Sequence, residues 1–279
     1  MTPEIPDTSD KPTVITTHMN ADFDALASLL AAQKLYPLAL VAFPGSQEKN
    51  LRNFYINSMV YLLNMADMKD IDFSRIKRLV LVDTRQPNRI GKFAELLDRP
   101  DIEIHVYDHH PAMANDIRGH REVHQLTGAN VTLMTKILQE RKIAITPDEA
   151  TILCLGIYED TGSFTFPSTT ADDFQAAAFL LNQGANLNVV AGLIDREISP
   201  AQVALLNDMI QAAEPYSING VELTLTSVST DDYIPEFALL VHKMLKMETL
   251  NAIFAIARMG KKIYRMSQPP YASPFKENF

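Results

Sequence analysis

The sequence predicts an α/β protein: a mostly parallel sheet flanked by helices, followed by a second, smaller and incomplete α/β domain. Three observations carry this. Short β-rich runs alternate with helical patterns through the first half of the chain, the pattern of a parallel sheet with helices on its faces. Three of those runs lead straight into acids or histidines: TVITTH at 13–18, RLVLV at 78–82 and IEIHVY at 102–107. After Pro215 the character changes to YSINGVELTLTSVS at 216–229, two alternating runs around Asn219-Gly220, which is a hairpin signal.

The elements follow in order. Residues 1–12 are acidic and Pro-containing; they read as a flexible lead-in, unlike a signal or basic transit peptide. After the strand at 13–18, Leu26, Leu29, Leu30 and Leu35 recur at helical spacing over 23–35. PLALVAF at 37–43 reads as a strand broken by Pro44-Gly45, and 46–64 as a helical region with Ser46 as its N-cap. The strand at 78–82, a helix near 89–97, the strand at 102–107 and a weak strand near 121–125 come next. Gly128 precedes an amphipathic helix over 129–141, and Pro147, Asp148 and Glu149 open a helix that runs to Glu159 and Asp160. The pattern is helical from 170 to 214 with a break near Gln183-Gly184, and after the hairpin come a helix near 235–246 and β-like runs at 251–257 and 262–266. The tail SQPPYASPFKENF has loop composition. These elements divide the chain into a first α/β domain at 13–200, a linker helix at 201–215 and a second, partial domain at 216–279.

Composition narrows the class. Of 279 residues 47% are hydrophobic and 21% charged, ordinary for a soluble globular protein, and no apolar run approaches the roughly 18–20 residues that span a bilayer. The single cysteine, Cys154, sits in the apolar run TILCLGIY; it reads as a buried structural thiol in a reducing, cytoplasmic setting. The formal charge of −9 argues against a broadly basic nucleic-acid surface, yet an acidic metal site can still take a nucleic-acid substrate.

The acids and histidines carry the chemistry. Strand ends of an open parallel sheet are where ligands bind. HMNADFD at 18–24 supplies His18, Asp22 and Asp24 at a strand end and helix start, RLVLV delivers Asp83, and IEIHVY delivers Asp108, His109 and His110 before Pro111. Taken singly, each has a plain alternative: Asp22 as a helix N-cap, Asp83 as a turn former. Taken together, Asp22, Asp24, Asp83, Asp160, His18 and His109 are driven into one cleft. Like charges there are unfavourable unless protonated or neutralised by metal, and two divalent cations balance four carboxylates. Mixed imidazole and carboxylate donors suit Mn²⁺, Fe²⁺ or Zn²⁺.

In order along the chain, HMNADFDA at 18–25, VDT at 82–84, DHHP at 108–111, GANVTLM at 128–134 and GIYEDTGSFTF at 156–166 resemble the motifs of the DHH phosphoesterase superfamily over about residues 13–200. The first-motif region through LASLLAAQKLYPLALVAFPGSQEKNLRNFY is similar to the DHH module that heads bacterial proteins continuing through CBS domains into a tRNA nucleotidyltransferase or poly(A) polymerase-like domain. The resemblance implies that His18, Asp22 and Asp83 hold one Mn²⁺ and that Asp24, Asp83, His109 and Asp160 hold another, with Mg²⁺ or Co²⁺ as substitutes. It implies that His110 faces the substrate phosphate and that Asp108 orients the neighbouring histidine, making His110, Asp83 and Asp108 the catalytic set. Gly128 and Ala129 at a helix start would offer backbone N–H groups to the same anion, or simply permit tight packing. Ala21 stands where Pro is usual in the first motif, and the Gly-rich loop ending in His that closes the family's substrate domain has no counterpart. Arg258 and Arg265 are the arginines left there to grip substrate, or else incidental surface charges.

The expected activity is therefore a Mn²⁺-dependent phosphoesterase that hydrolyses short RNA or nucleotides. A pyrophosphatase or polyphosphatase, and a non-catalytic nucleotide-binding module that regulates an RNA-processing domain, are the alternatives. A short oligonucleotide or nucleotide substrate, an RNA-processing partner and a homodimer fit this reading; a membrane does not.

Overall fold

Five β-rich runs of the first half pair side by side, all in parallel, in the order β2-β1-β3-β4-β5. They are β1 (Thr13–Thr16), β2 (Leu40–Val41), β3 (Arg78–Val82), β4 (Glu103–Asp108) and β5 (Arg121–His124). The structure is a computed structural model that describes residues 11–45, 63–194, 199–218, 221–247 and 252–268. The helix expected over 46–64 with its cap Ser46 lies almost wholly outside the described residues, as do the Asn219-Gly220 turn, the tail beyond Gln268 and most of the lead-in. The chain forms two compact units, Met1–Arg196 and Glu197–Phe279.

In the first unit β3 is buried along its whole length, as a central parallel strand must be when both faces are covered. Its side chains alternate. Val80 and Val82 join a core shared with α1 (Phe23–Leu35), α2 (Asn130–Glu140) and α3 (Pro147–Asp160), while Leu79 and Leu81 face Ile90, Phe93 and Leu96 on the other side. The helices α4 (Ala171–Asn182) and α5 (Leu187–Ile194) complete the unit, with Ala176, Leu180 and Val190 in the first core.

Two elements depart from the sequence reading. The strand expected over 37–43 reduces to Leu40–Val41, because this edge run pairs with β1 through two residues only. The helix expected near 89–97 is two short 3₁₀ pieces, Pro87–Arg89 and Gly91–Leu96. Gly91, the first residue of the second piece, has φ +54°, a left-handed conformation that interrupts an α-helix.

Helix α1 is Ala- and Leu-rich and almost wholly buried, and Gly156 on α3 shows why small residues lie there. A Cβ at Gly156 would come within 2.8 Å of the Ala27 Cβ and 3.1 Å of the Asp24 Cα and Phe23 carbonyl oxygen. The two helices therefore touch backbone to backbone at the first turn of α1. The Phe23 N–H also donates to the Glu159 carboxylate at 2.6 Å, tying that turn to the last turn of α3. Cys154 is buried on α3, where burial pushes its thiol up to about 11, as expected of a structural thiol.

The second unit has a sheet in the order β6-β7-β8-β9. It comprises α6 (Pro200–Gln211), β6 (Glu214–Ile218), β7 (Val221–Thr230), α7 (Phe237–Met247), β8 (Ile253–Met259) and β9 (Lys262–Gln268). The β6–β7 and β8–β9 pairs are antiparallel and β7–β8 is parallel, so α7 serves as a crossover. Leu205, Leu206 and Met209 of α6, in the stretch read as a linker helix, lie in this unit's core with Leu240, Val241, Met244, Ala255 and Ala257. Among the described residues no helix is long and apolar enough to cross a membrane.

Candidate metal centre

The carboxyl ends of β1, β3 and β4 lie side by side, and the turns that leave them supply an acid–histidine cluster. His18 follows β1, and Asp22 caps α1 by accepting from the Ala25 N–H at 3.0 Å; the N-cap role and a place beside the cluster are thus held by one side chain. Asp83 follows β3 in a left-handed backbone conformation, φ +58°, which Asp tolerates better than most residues. The turn breaks strand alternation and leaves the carboxylate facing both histidines. His109 and His110 follow β4, which ends at Asp108. Asp160 is the last residue of α3.

Asp83 divides its two oxygens. Oδ2 lies 3.0 Å from His18 Nε2, which is also 3.9 Å from Asp22 Oδ2. Oδ1 lies 3.4 Å from His109 Nε2, and that nitrogen is 3.5 Å from Asp160 Oδ2 and 4.0 Å from Asp24 Oδ2. Two donor groups result, His18–Asp22–Asp83 and Asp24–His109–Asp160, each with ligand atoms within 4.8 Å of one another. The six residues singled out by sequence are thus brought together, and Asp83, His109 and His110 form a third such group.

Both inner imidazoles present the same nitrogen. His18 Nδ1 lies 2.9 Å from the Met19 carbonyl oxygen and His109 Nδ1 lies 2.9 Å from that of Thr127. A carbonyl accepts only, so each Nδ1 is a donor; Nε2 is then the nitrogen that faces Asp83 in the cluster, and it would offer a lone pair to a cation once the ring is neutral. His109 Nε2 and Asp83 Oδ1 are buried and make no hydrogen bond. These are the donors a divalent cation takes.

Electrostatics point the same way. Burial, then the charges of Asp83 and Asp160, push the Asp24 carboxyl well above its ordinary range. Burial and Asp83 raise Asp22 and push Asp160 up to about 7. Burial works against charging His109 and His18, but their contacts with Asp83 outweigh it; His109 rises to about 10 and His18 also rises. Burial likewise opposes the Asp83 charge, but its two histidine contacts bring the carboxyl below the usual range. Four carboxylates at one point without a cation are held together only by protons, so the residues fit a divalent metal site.

His110 is set apart, with a side chain 42% exposed. Its Nδ1 lies 2.9 Å from Asp108 Oδ1, so the histidine that Asp108 orients is His110. Arg85 Nε donates to Asp108 Oδ2 at 2.7 Å, and both of these side chains are buried.

The helix start after Gly128 differs from its expected role. The Gly128 N–H donates to Asp173 Oδ2 at 2.9 Å, while the Asn130 and Val131 N–H groups donate to the two oxygens of Asp24 at 2.7 and 2.8 Å. Carboxylates of the chain itself take the anion position at this helix N-terminus, so Gly128 and the α2 start do not offer these N–H groups to a substrate. Ala129 is fully buried, and a Cβ at Gly128 would lie 2.7 Å from Asp173 Oδ2 and from Thr161 Cγ2, so tight packing accounts for the Gly-Ala pair. Arg258 and Arg265 belong to the second unit and are exposed on β8 and β9; the Arg258 guanidinium donates to the Gly260 carbonyl at 2.9 Å.

Arg85 and Asp173 are structural members of the site that sequence reasoning passes over. Arg85 is next but one after Asp83, in VDTRQ, and its partner is 23 residues away. Asp173 sits in TTADD at a helix start, a capping signal, yet it also receives Gly128 and the Thr132 hydroxyl at 2.6 Å.

A parallel α/β unit with paired acid–histidine groups at its strand ends is an arrangement that could hold divalent cations. The chain belongs to the DHH family: residues 12–157 match the DHH family, N-terminal domain. It is 46% identical over 255 residues to the A-adding tRNA nucleotidyltransferase of Geobacter sulfurreducens, covering 91% of this chain and 29% of that protein. It is 29% identical over 180 residues to the bifunctional oligoribonuclease and PAP phosphatase NrnA of Mycoplasma genitalium, covering 63% of this chain and 55% of that one. The chain thus spans under a third of the length of the first relative. Among solved structures, an exopolyphosphatase-related protein from Bacteroides fragilis shares the fold, with a TM-score of 0.70 at 16% identity over 95% of this chain and 81% of that one.

Proposed function

We propose that the chain is a Mn²⁺-dependent phosphoesterase that hydrolyses phosphoester bonds of short RNA or nucleotides. The observation that supports this most is the division of Asp83, whose oxygens face two separate groups of imidazole and carboxylate donors. His18, Asp22 and Asp83 would hold one cation, and Asp24, Asp83, His109 and Asp160 the other. When bound, such a pair lowers the pKa of a water and stabilises charge on the attacking and leaving oxygens.

The chain's own groups do the rest. The Met19 and Thr127 carbonyls fix the tautomers of His18 and His109. Asp108 fixes the Nδ1 side of His110, so Nε2 of this exposed ring is the atom free to meet a phosphoryl oxygen.

Purified protein with Mn²⁺ should release mononucleotides from short oligoribonucleotides, and Asp83→Ala should abolish the release. Turnover that survives the substitution would sink the paired-metal reading. Pyrophosphate hydrolysis without oligonucleotide cleavage would instead make the protein a pyrophosphatase. Nucleotide binding with no turnover of any phosphoester would make it a binding module.

A further inference from the structure

The parallel ladder between β4 and β5 ends where the acid–histidine cluster begins. Its last paired residues are Asp108 and His124, and β4 then runs on into His109, His110 and Pro111. Pro111 has no N–H to give a further rung, and among the described residues no backbone N–H donates to the His110 carbonyl. The side chain of His124 takes that place. Its Nε2 lies 2.7 Å from the His110 carbonyl oxygen. A carbonyl accepts only, so Nε2 is the donor. The imidazole thus adds one rung to the ladder past the point where the two backbones part.

His110 is thereby held at two separate points. Asp108 takes its ring Nδ1, which sets the tautomer, while His124 takes its main chain, which sets where the ring hangs from. The second hold matters because the ring is half open to solvent, with an edge contact to His109 at 4.4 Å between centroids. Three residues on, the Thr127 carbonyl takes Nδ1 of His109 at 2.9 Å. The segment 124–127 therefore grips both adjacent histidines, one by its backbone and the other by its ring. The segment is itself anchored, because the Gln125 amide donates to the Asp172 carboxylate.

We propose that His124 is a positioning residue for phosphoester hydrolysis: it holds the His110 main chain so that the ring presents Nε2 to the phosphoryl group from one fixed place. The inference rests on the phosphoesterase reading for what that Nε2 meets. The hold on His110 is independent of it.

Two variants of the full chain test it, with short oligoribonucleotide as substrate in Mn²⁺. His124→Phe keeps a flat ring and removes the donor; His124→Gln keeps an amide N–H at about the reach of Nε2. The Phe variant should lose about three- to tenfold in kcat, with KM changed less than about twofold. The Gln variant should return to within about twofold of the parent. Mn²⁺ affinity should hold in both, since neither proposed cation site includes His124. A second readout needs no turnover: nitrogen-15 spectra of the imidazoles at alkaline pH in Mg²⁺, which is not paramagnetic, with His110 assigned by its loss in His110→Gln. The parent should show one tautomer, protonated at Nδ1, and the Phe variant a mixture. Parental kcat in the Phe variant, or a Gln variant no better than Phe, overturns the proposal. If the mixture appears but no phosphoester is cleaved by the parent, the phosphoesterase reading fails and the hold on His110 stands. If the parent cleaves and the Phe variant matches it in rate and spectrum, the reverse holds.

Discussion

Asp108 stands between His110 and Arg85, with one carboxylate oxygen 2.9 Å from the His110 Nδ1 and the other 2.7 Å from the Arg85 Nε. The buried carboxylate therefore fixes the ring that faces outward and neutralises the guanidinium behind it. Asp108→Asn keeps the shape but loses the charge that favours a donor at Nδ1. Turnover of an oligoribonucleotide should fall about 10- to 100-fold with a smaller change in KM, and the pH profile should shift. An unchanged pH–rate profile would remove the orienting role.

Arg85→Ala leaves Asp108 buried without its cation, with Asp116 also nearby. Breaking one side of a buried pair costs about 3–5 kcal/mol, and urea unfolding should show a loss of that order. A loss below about 1 kcal/mol would mean that solvent reaches the pair.

Cation binding should stabilise the fold. With Mn²⁺ at about 100 times its dissociation constant, the gain is about 2.7 kcal/mol, read as a higher melting temperature than in chelator. Asp83→Ala should erase most of that gain, because Asp83 belongs to both of the proposed cation sites. Equal melting temperatures with and without Mn²⁺ would contradict a metal centre.

Asp160 gives a pH test with a definite sign. Its folded pKa of about 7 lies above the ordinary aspartate value because of burial and then the Asp83 charge. The protonated carboxyl is the form the metal-free fold favours, so stability is fully present below the unfolded value near 3.8 and is lost as pH rises toward 7. Asp160→Asn should therefore stabilise chelator-treated protein at pH 8 more than at pH 4, while weakening Mn²⁺ binding. A variant that is less stable than the parent at pH 8 in chelator would reverse the sign and refute this.

Gly156→Ala places a Cβ 2.8 Å from Ala27 and 3.1 Å from the Phe23 carbonyl oxygen. Overpacking of this kind costs about 1–3 kcal/mol. Asp160 lies one turn further along the same helix, so metal affinity should fall with stability. A variant with full stability but reduced Mn²⁺ affinity would separate the two effects.

Much of this was legible because it is local. The leucine spacing over 23–35, the Thr-Pro-Asp-Glu start of the 147–160 helix and the apolar run at 78–82 each coincide with their element. The acids and histidines were legible because strand ends collect in one place. What was not legible depends on pairing across distance. The β3–β4 register decides that Arg85 meets Asp108, and nothing in either neighbourhood announces it. The choice between anion binding and tight packing after Gly128 stays open in the sequence for the same reason: Asp24, more than 100 residues away, occupies the helix start. The 3₁₀ turns near 87–96 turned on one left-handed glycine whose conformation its neighbours do not dictate.

The left-handed turn at Asp83 has a genetic consequence. Few side chains tolerate that backbone, and asparagine is the one that joins aspartate in doing so readily. An aspartate codon becomes an asparagine codon by a single base change. If Asp83 serves two cations as proposed, the same lineage can therefore move from that acid to a neutral amide in a preserved turn, and a silent copy of the fold would lie one mutational step away.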